Sequence, residues 1–187
     1  MAPTAAALGL APRVKTRCFE AGGIYDADPT YTKFEPRGGL SRAAMGELFP
    51  TYELPDDVTP DGWYVGGGKE TDDECRARAA AVAGELRALA ADLASGGGEG
   101  DGRAECGGGG KARRRNVVLV VHYDFLCALL DALVTPERPH AGPFVNWQHF
   151  NTGITVADVH GETGNVTLRT MNSVVHFAAL PSLISGF

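Results

Sequence analysis

Hydrophobic residues recur at helical spacing in the segment after Thr71. Successive apolar positions are four, three, four, three and four residues apart, which places them on one face of a helix. These positions are Cys75, Ala79, Val82, Leu86, Leu89 and Leu93. Thr71 and Glu74 form a capping-box pattern at the start of the segment. The pattern predicts a long amphipathic helix with one stripe packed against a core.

The charged side chains of this helix are predicted to face solvent, as is usual opposite an apolar stripe. They are Arg76, Arg78, Glu85 and Arg87. A shorter helix is predicted from about Ser41 to Phe49, because Pro50 does not continue it. Pro, Asp and Gly are frequent between Tyr52 and Gly68, so that stretch is predicted to be a loop.

A continuous β-branched run at Val117–Val121 is typical of a central strand buried on both faces. The next segment, Asp124–Val134, has a helical pattern, and a strand followed by a helix is half of a βαβ unit. Ile154–Val159 and Val166–Thr170 alternate with a period near two around a turn-rich stretch, which predicts a hairpin or a pair of neighbouring strands. The sequence therefore predicts an α/β fold: a mainly parallel sheet with helices on both faces.

The length of 187 residues fits a single domain. Residues 96–115 hold nine of the 25 glycines and no apolar periodicity, which predicts a flexible insertion. Arg113–Arg115 lies at its end and is interpreted as solvated rather than as a nucleic-acid contact.

Charge and cysteine content narrow the class of protein. Lys and Arg number 17 against 23 Asp and Glu, a net charge of −6 that argues against a nucleic-acid partner. The longest apolar window, Val117–Val134, contains His122, Asp124 and Asp131, which would be costly inside a bilayer. We expect a soluble cytoplasmic protein with no membrane partner. The cysteines have no metal-ligand spacing, so we expect no metal and no other cofactor; they are Cys18, Cys75, Cys106 and Cys127.

His122 stands between the predicted strand and the predicted helix, the edge of an open α/β sheet where ligands collect. Amides at the start of the helix and an imidazolium donor would together favour a phosphate or a carboxylate. The alternative is a buried histidine whose ring nitrogens are hydrogen-bonded within the core. The position of His122 alone does not decide between these two interpretations.

Several segments resemble the C-terminal portion of the histidine phosphatase (phosphoglycerate mutase-like) superfamily. They follow one another along this chain in the same order as in the family. Val117–Phe125 resembles the strand that delivers a pocket histidine, and Cys18–Tyr25 resembles the segment with the family's acidic residue. The other similar segments are Gly62–Tyr64, Lys69–Thr71, Phe150–Val156 and Asn172–His176. The resemblance covers about Leu8 to Phe177 without the glycine-rich insertion. It implies a phosphoglycerate mutase-like fold and phosphoryl transfer on a small phosphate monoester.

The resemblance implies that His122 binds phosphate and that Glu20 donates and accepts the proton of the leaving and attacking oxygens. It also places Tyr123 and Asn151 at the substrate. Tyr123 departs from the glycine common there in the family, which alters the rim of the pocket. Thr152 and His176 match the family pattern and, like Asn151, are interpreted first as structural.

The family's nucleophile, the histidine of an Arg-His-Gly motif, is absent, because none of the five histidines follows an arginine. The resemblance implies that the first strand, the first helix and a second pocket arginine would lie upstream of Met1, which makes 1–187 a single incomplete domain. We therefore expect no turnover by this chain alone. Three hypotheses follow: an incomplete phosphoryl-transfer enzyme, a phospho-ligand-binding or scaffold protein without a nucleophile, and a structural domain. The sequence does not decide the oligomeric state.

Overall fold

The computed structural model describes residue 7 and the ranges 9–95, 116–136 and 145–184. The predicted insertion at 96–115 lies outside these residues. Within them, the strands are β1 (Tyr25–Ala27), β2 (Phe34–Pro36), β3 (Ile154–Val159) and β4 (Val166–Ser173). The α-helices are α1 (Arg42–Leu48), α2 (Asp72–Ala94) and α3 (Tyr123–Val134), and two short 3-10 helices follow at Val175–Phe177 and Pro181–Leu183.

The three predicted helices are confirmed, and their ends follow the local chemistry. The Ser41 side chain accepts a hydrogen bond from the amide of Ala44 at the start of α1. Thr71 and Glu74 form the reciprocal capping box of α2, in which the Glu74 carboxylate accepts from the Thr71 amide at 2.7 Å. Among the described residues, no helix is both long enough and apolar enough to cross a bilayer.

The core lies between α2 and α3, which run in the same direction. Asp72 and Asp124, near the two helix starts, interact electrostatically. Arg87 donates to the carbonyls of Ala132 and Leu133 near the far end of α3. The buried cluster consists of Cys75, Ala79, Val82 and Ala83 from α2 with Phe125, Ala128, Leu129, Ala132 and Leu133 from α3. The predicted stripe of α2 therefore packs against α3 from Cys75 to Leu86.

The predicted hairpin is confirmed, with β3 and β4 paired antiparallel and a register irregularity next to Val156. Its turn packs against the C-terminal half of α2, where a Cβ on Gly161 would lie 2.3 Å from the carbonyl oxygen of Ala90. A second antiparallel pair, β1 with β2, forms a separate sheet.

The prediction of a mainly parallel, phosphoglycerate mutase-like sheet with helices on both faces is wrong. The strands of the described ranges form two separate antiparallel pairs. Val117–Val121, predicted as the central strand, forms no strand. A β-branched run becomes a central strand only when neighbouring strands pair with both of its edges. No described segment does so here, although the helix that follows the run is present.

Candidate functional site

The candidate site is the N-terminal end of α3. His122 is the N-cap residue, with extended backbone at φ −97° and ψ 167°. Its imidazole makes no capping hydrogen bond and is exposed. The first amides of a helix lack intrahelical acceptors and lie at the positive end of the helix dipole. His122 therefore stands beside donors suited to an anion.

Glu20 reaches the same helix end from 102 residues earlier in the chain. Its Oε1 accepts hydrogen bonds from the amide of Ala21 at 2.7 Å and from the amide of Phe125 at 3.0 Å. Phe125 is the third residue of α3, so the carboxylate caps this helix from a distant segment. The structure thus places Glu20 and His122 at the same end of α3, which the sequence had related only through the family resemblance.

Arg78 fixes the loop that carries Glu20. Its guanidinium pairs with both carboxylate oxygens of Glu70, at 2.7 and 2.6 Å. It also donates to the carbonyls of Arg17 and Phe19, each at 2.9 Å. The two charged side chains are 10% and 8% exposed. Such a buried, bidentate pair leaves the backbone before Glu20 little freedom to move.

Aromatic rings also contact the Arg78 clamp, which consists of the Arg78 guanidinium, Glu70 and the loop carbonyls of Arg17 and Phe19. The Arg78 guanidinium lies 3.5 Å from the ring centroid of Phe19 and 4.5 Å from that of Phe125. On the other side of Glu20 the backbone passes close to Tyr64, where a Cβ on Gly23 would lie 2.0 Å from the hydroxyl oxygen. Gly23 has a φ of +74°, a conformation that glycine adopts without strain. The backbone conformation and the packing against Tyr64 both require glycine at position 23.

Acidic side chains surround the helix end. Burial raises the pKa of Asp124, and the neighbouring carboxylates of Glu20 and Asp72 raise it further. These negative charges oppose the binding of an anion, while the exposed His122 and the helix amides favour it. A phosphate at this end would therefore depend on additional cationic groups or on protonation of a carboxyl group.

The thiols near this region are poor nucleophiles. Burial raises the pKa of Cys75 to about 12 and is also the main cause of the raised pKa values of Cys18 and Cys127. The thiols of the described cysteines are therefore protonated near neutral pH.

Tyr123, the first residue of α3, donates its hydroxyl hydrogen to Asn146 Oδ1. Cys127 Sγ contacts the carbonyl oxygen of Trp147 at 3.5 Å, so the segment after α3 folds back along this helix. His149 is buried, with its ring nitrogens 2.7 Å from the Trp147 carbonyl and 2.6 Å from Thr155 Oγ1. His149 is therefore a core histidine whose two ring nitrogens both have hydrogen-bond partners.

The remaining predicted residues belong to the start of the β3–β4 hairpin. Asn151 and Thr152 form a turn in which Gly153 donates to the carbonyl of Phe150. Thr152 has a φ of 60°, strained for a β-branched residue, and its hydroxyl lies 3.2 Å from His176 Nε2. The Phe150 amide donates to Asn172 Oδ1 at 2.8 Å, which joins this turn to β4. Their first interpretation, as structural residues, stays the simpler one.

Sequence reasoning missed Arg78, which it placed on the solvated face of α2. The Arg76 and Arg78 side chains are only 12% and 10% exposed. The available sequence signal for a buried Arg78 was its position next to Ala79 of the apolar stripe. A charged side chain at the edge of such a stripe requires a partner when a loop covers the side chain.

Other features of the described residues do not enlarge the site. They contain no group of three or more His, Cys, Asp or Glu side chains placed to hold a metal ion. Two surface cavities lie elsewhere: Arg87, Leu133 and Gly164 line one, and Arg13, Lys15 and Glu85 line the other. Comparisons with protein-family models, curated proteins and solved structures found no match.

Proposed function

We propose that this chain provides the acid and the phosphate-binding histidine of a histidine phosphatase-type site for a small phosphate monoester. The observation that supports this proposal is the convergence of Glu20 and His122 at the start of α3. Two residues so distant in sequence meet at a helix end whose amides and dipole suit a phosphate.

In this proposal the ester phosphate lies against the first amides of α3 and accepts a hydrogen bond from the His122 imidazole. Glu20 Oε1 is held by two amides. Its Oε2 makes no hydrogen bond within the described ranges, and this oxygen would carry the proton for the leaving oxygen. Tyr123, the first residue of α3, would contact the rest of the substrate. General acid catalysis of this kind requires a carboxyl group within hydrogen-bond reach of the leaving oxygen.

The 187 residues contain no Arg-His-Gly nucleophile. Phosphate binding without turnover is therefore the activity expected of this chain, and a phospho-ligand-binding or scaffold protein is the second candidate function. Because the carboxylates of Glu20 and Asp72 lie near Asp124, we expect this chain alone to bind phosphate weakly.

Titration of the ¹⁵N-labelled protein with phenyl phosphate tests the binding. The amide signals of residues 122–125 should move in a saturable manner, and His122→Ala should abolish the change. His160→Ala is the matched control, because His160 is an exposed histidine of the β3–β4 turn. Equal shifts in the two variants, or shifts confined to other residues, would exclude the phosphate site.

An assay with 4-nitrophenyl phosphate and with phosphoglycerate separates binding from catalysis. We expect phosphate release no faster than that of the His122→Ala variant, because no group is present to attack phosphorus. Turnover that disappears with His122→Ala would identify another nucleophile in the chain and would make it an enzyme as it stands.

A further inference from the structure

A surface cavity of about 370 Å³ lies where α2, the end of α3 and the start of β4 meet. Arg87 of α2, Leu133 and Val134 of α3, and residues 164–167 of the hairpin turn and β4 line it. Small-molecule sites in proteins have volumes of roughly 300–1,000 Å³, so this cavity is at the lower end of that range. Its size suits a small ligand.

Arg87 brings a positive charge to this cavity without a carboxylate partner. Its Nη2 donates to the carbonyls of Ala132 and Leu133 at 3.2 and 2.8 Å, and its Nε donates to the carbonyl of Gly164 at 3.4 Å. Carbonyl groups satisfy N–H donors but carry only partial negative charge. Among the described residues, Arg87 forms no ion pair, and its Nη1 makes no hydrogen bond. This half-buried guanidinium is therefore available to an anion.

The other surface cavity of the described chain differs in its charge balance. Lys15 and Arg17 line that cavity, but both pair with Glu85 at the same surface, and Asp57 lines it as well. No aspartate or glutamate of the described ranges lines the cavity at Arg87. The positive charge of Arg87 is therefore not neutralised locally, and it attracts an anion more strongly than the paired cations do.

Neutral groups at the cavity narrow the class of anion. Asn165 and Thr167 are exposed, and their side chains make no hydrogen bond with the described residues. Leu133 and Val166 contribute apolar atoms to the lining. The partial negative charge of the Ala132 and Leu133 carbonyls disfavours a doubly charged phosphate more than a singly charged carboxylate. One guanidinium with neutral donors and a short apolar wall suits a small monocarboxylate.

We propose that this cavity binds a small organic monocarboxylate. The carboxylate group accepts hydrogen bonds from Arg87 Nη1 and from the neutral donors of Asn165 and Thr167, and the apolar part of the ligand lies against Leu133 and Val166. Carbonyls of α3 and of the hairpin turn already hold the guanidinium, so binding requires little further ordering of Arg87. The proposal does not depend on the phosphate site.

Titration of the ¹⁵N-labelled full chain with benzoate, and in parallel with benzamide, tests the site. Benzamide is similar in shape to benzoate but has no charge. We expect benzoate to move the amide signals of residues 133, 134 and 164–167 in a saturable manner with a Kd of about 1 mM, and benzamide to bind at least about tenfold more weakly. Equal binding of the two compounds, or no saturable change at these residues up to about 10 mM benzoate, would overturn the proposal.

Variants locate the charge that binds benzoate. Arg87→Met should weaken binding at least about tenfold. Arg169→Met is the matched control and should leave binding unchanged, because Arg169 is exposed and paired with Asp158. His122→Ala should also leave it unchanged, which separates this cavity from the phosphate site.

Circular dichroism shows whether Arg87→Met keeps its helices. If this variant does not fold, the comparison of benzoate with benzamide in the unmodified chain decides the question. Equal benzoate affinity of folded Arg87→Met and the unmodified chain would exclude Arg87 as the carboxylate-binding group and with it the proposal.

Discussion

At the scale of single residues, Glu20 has a double role at the start of α3. It caps the helix through the amide of Phe125, and it places negative charge beside Asp124. The same carboxylate therefore stabilises the helix end and makes it less attractive to an anion.

We predict that Glu20→Gln lowers the pKa of Asp124 towards its usual value. Burial remains the main cause of the raised pKa, so the shift should be partial, but the removal of a nearby negative charge favours the ionised form. A ¹³C NMR titration of the aspartate carboxyl signals measures this change. Glu162→Gln, in the exposed β3–β4 turn, is the control and should have no effect. An unchanged Asp124 pKa in Glu20→Gln would mean that the two carboxyl groups do not interact.

At the scale of elements, the Arg78–Glu70 pair joins α2, the loop before Glu20 and the start of α3. The guanidinium contacts two backbone carbonyls of the loop and the rings of Phe19 and Phe125. The position of Glu20 at α3 thus follows from a side chain on another helix. By contrast, Arg169 and Asp158 form an exposed pair across β3 and β4, with side chains 58% and 50% exposed.

We predict that Arg78→Ala lowers the free energy of unfolding by about 3–5 kcal/mol, because Glu70 is left buried without its partner. Arg169→Ala should cost less than about 1 kcal/mol, because water screens the exposed pair. Urea denaturation followed by circular dichroism compares the two variants. Similar losses of unfolding free energy in the two variants would show that the buried Arg78–Glu70 pair stabilises the fold no more than the exposed Arg169–Asp158 pair does. Amide exchange at Ala21 and Phe125 should also accelerate in Arg78→Ala if the clamp positions Glu20.

At the scale of the whole molecule, one core carries the stability of the helical part. α2 and α3 pack side by side, and Phe125 is the largest fully buried side chain of the described ranges. The hairpin turn packs on α2 at Gly161, and the loop with Glu20 packs at the other end of the helix. The β3–β4 turn and the loop with Glu20 thus contact opposite ends of α2.

We predict that Phe125→Ala costs about 3–5 kcal/mol, a large share of the roughly 5–15 kcal/mol that stabilises a typical domain. Val65→Ala should change the stability by no more than about 0.5 kcal/mol, because Val65 is 88% exposed. Thermal and urea unfolding measure both effects. If the Phe125 variant unfolds at the same urea concentration as the unmodified chain, the α2–α3 core is not the source of stability.

The sequence by itself determined the three α-helices and the β3–β4 hairpin. The spacing of Cys75, Ala79 and Val82 and the capping box at Thr71 fixed α2, and alternation on both sides of the Gly161–Asn165 turn fixed the β3–β4 hairpin. These features depend on neighbours three or four residues apart, or on a short turn, so the pattern contains the necessary information.

Only the tertiary structure decided how distant segments meet. The buried state of Arg78 required a loop 58 to 61 residues away, and the capping of α3 by Glu20 joined residues 105 apart. Val117–Val121 is a case in which the local pattern predicts an element that the tertiary structure does not contain. Its sequence predicts a central strand, yet a strand exists only where another backbone pairs with it, and the described chain places none there. Such pairings depend on the geometry of the whole chain, which local patterns do not encode.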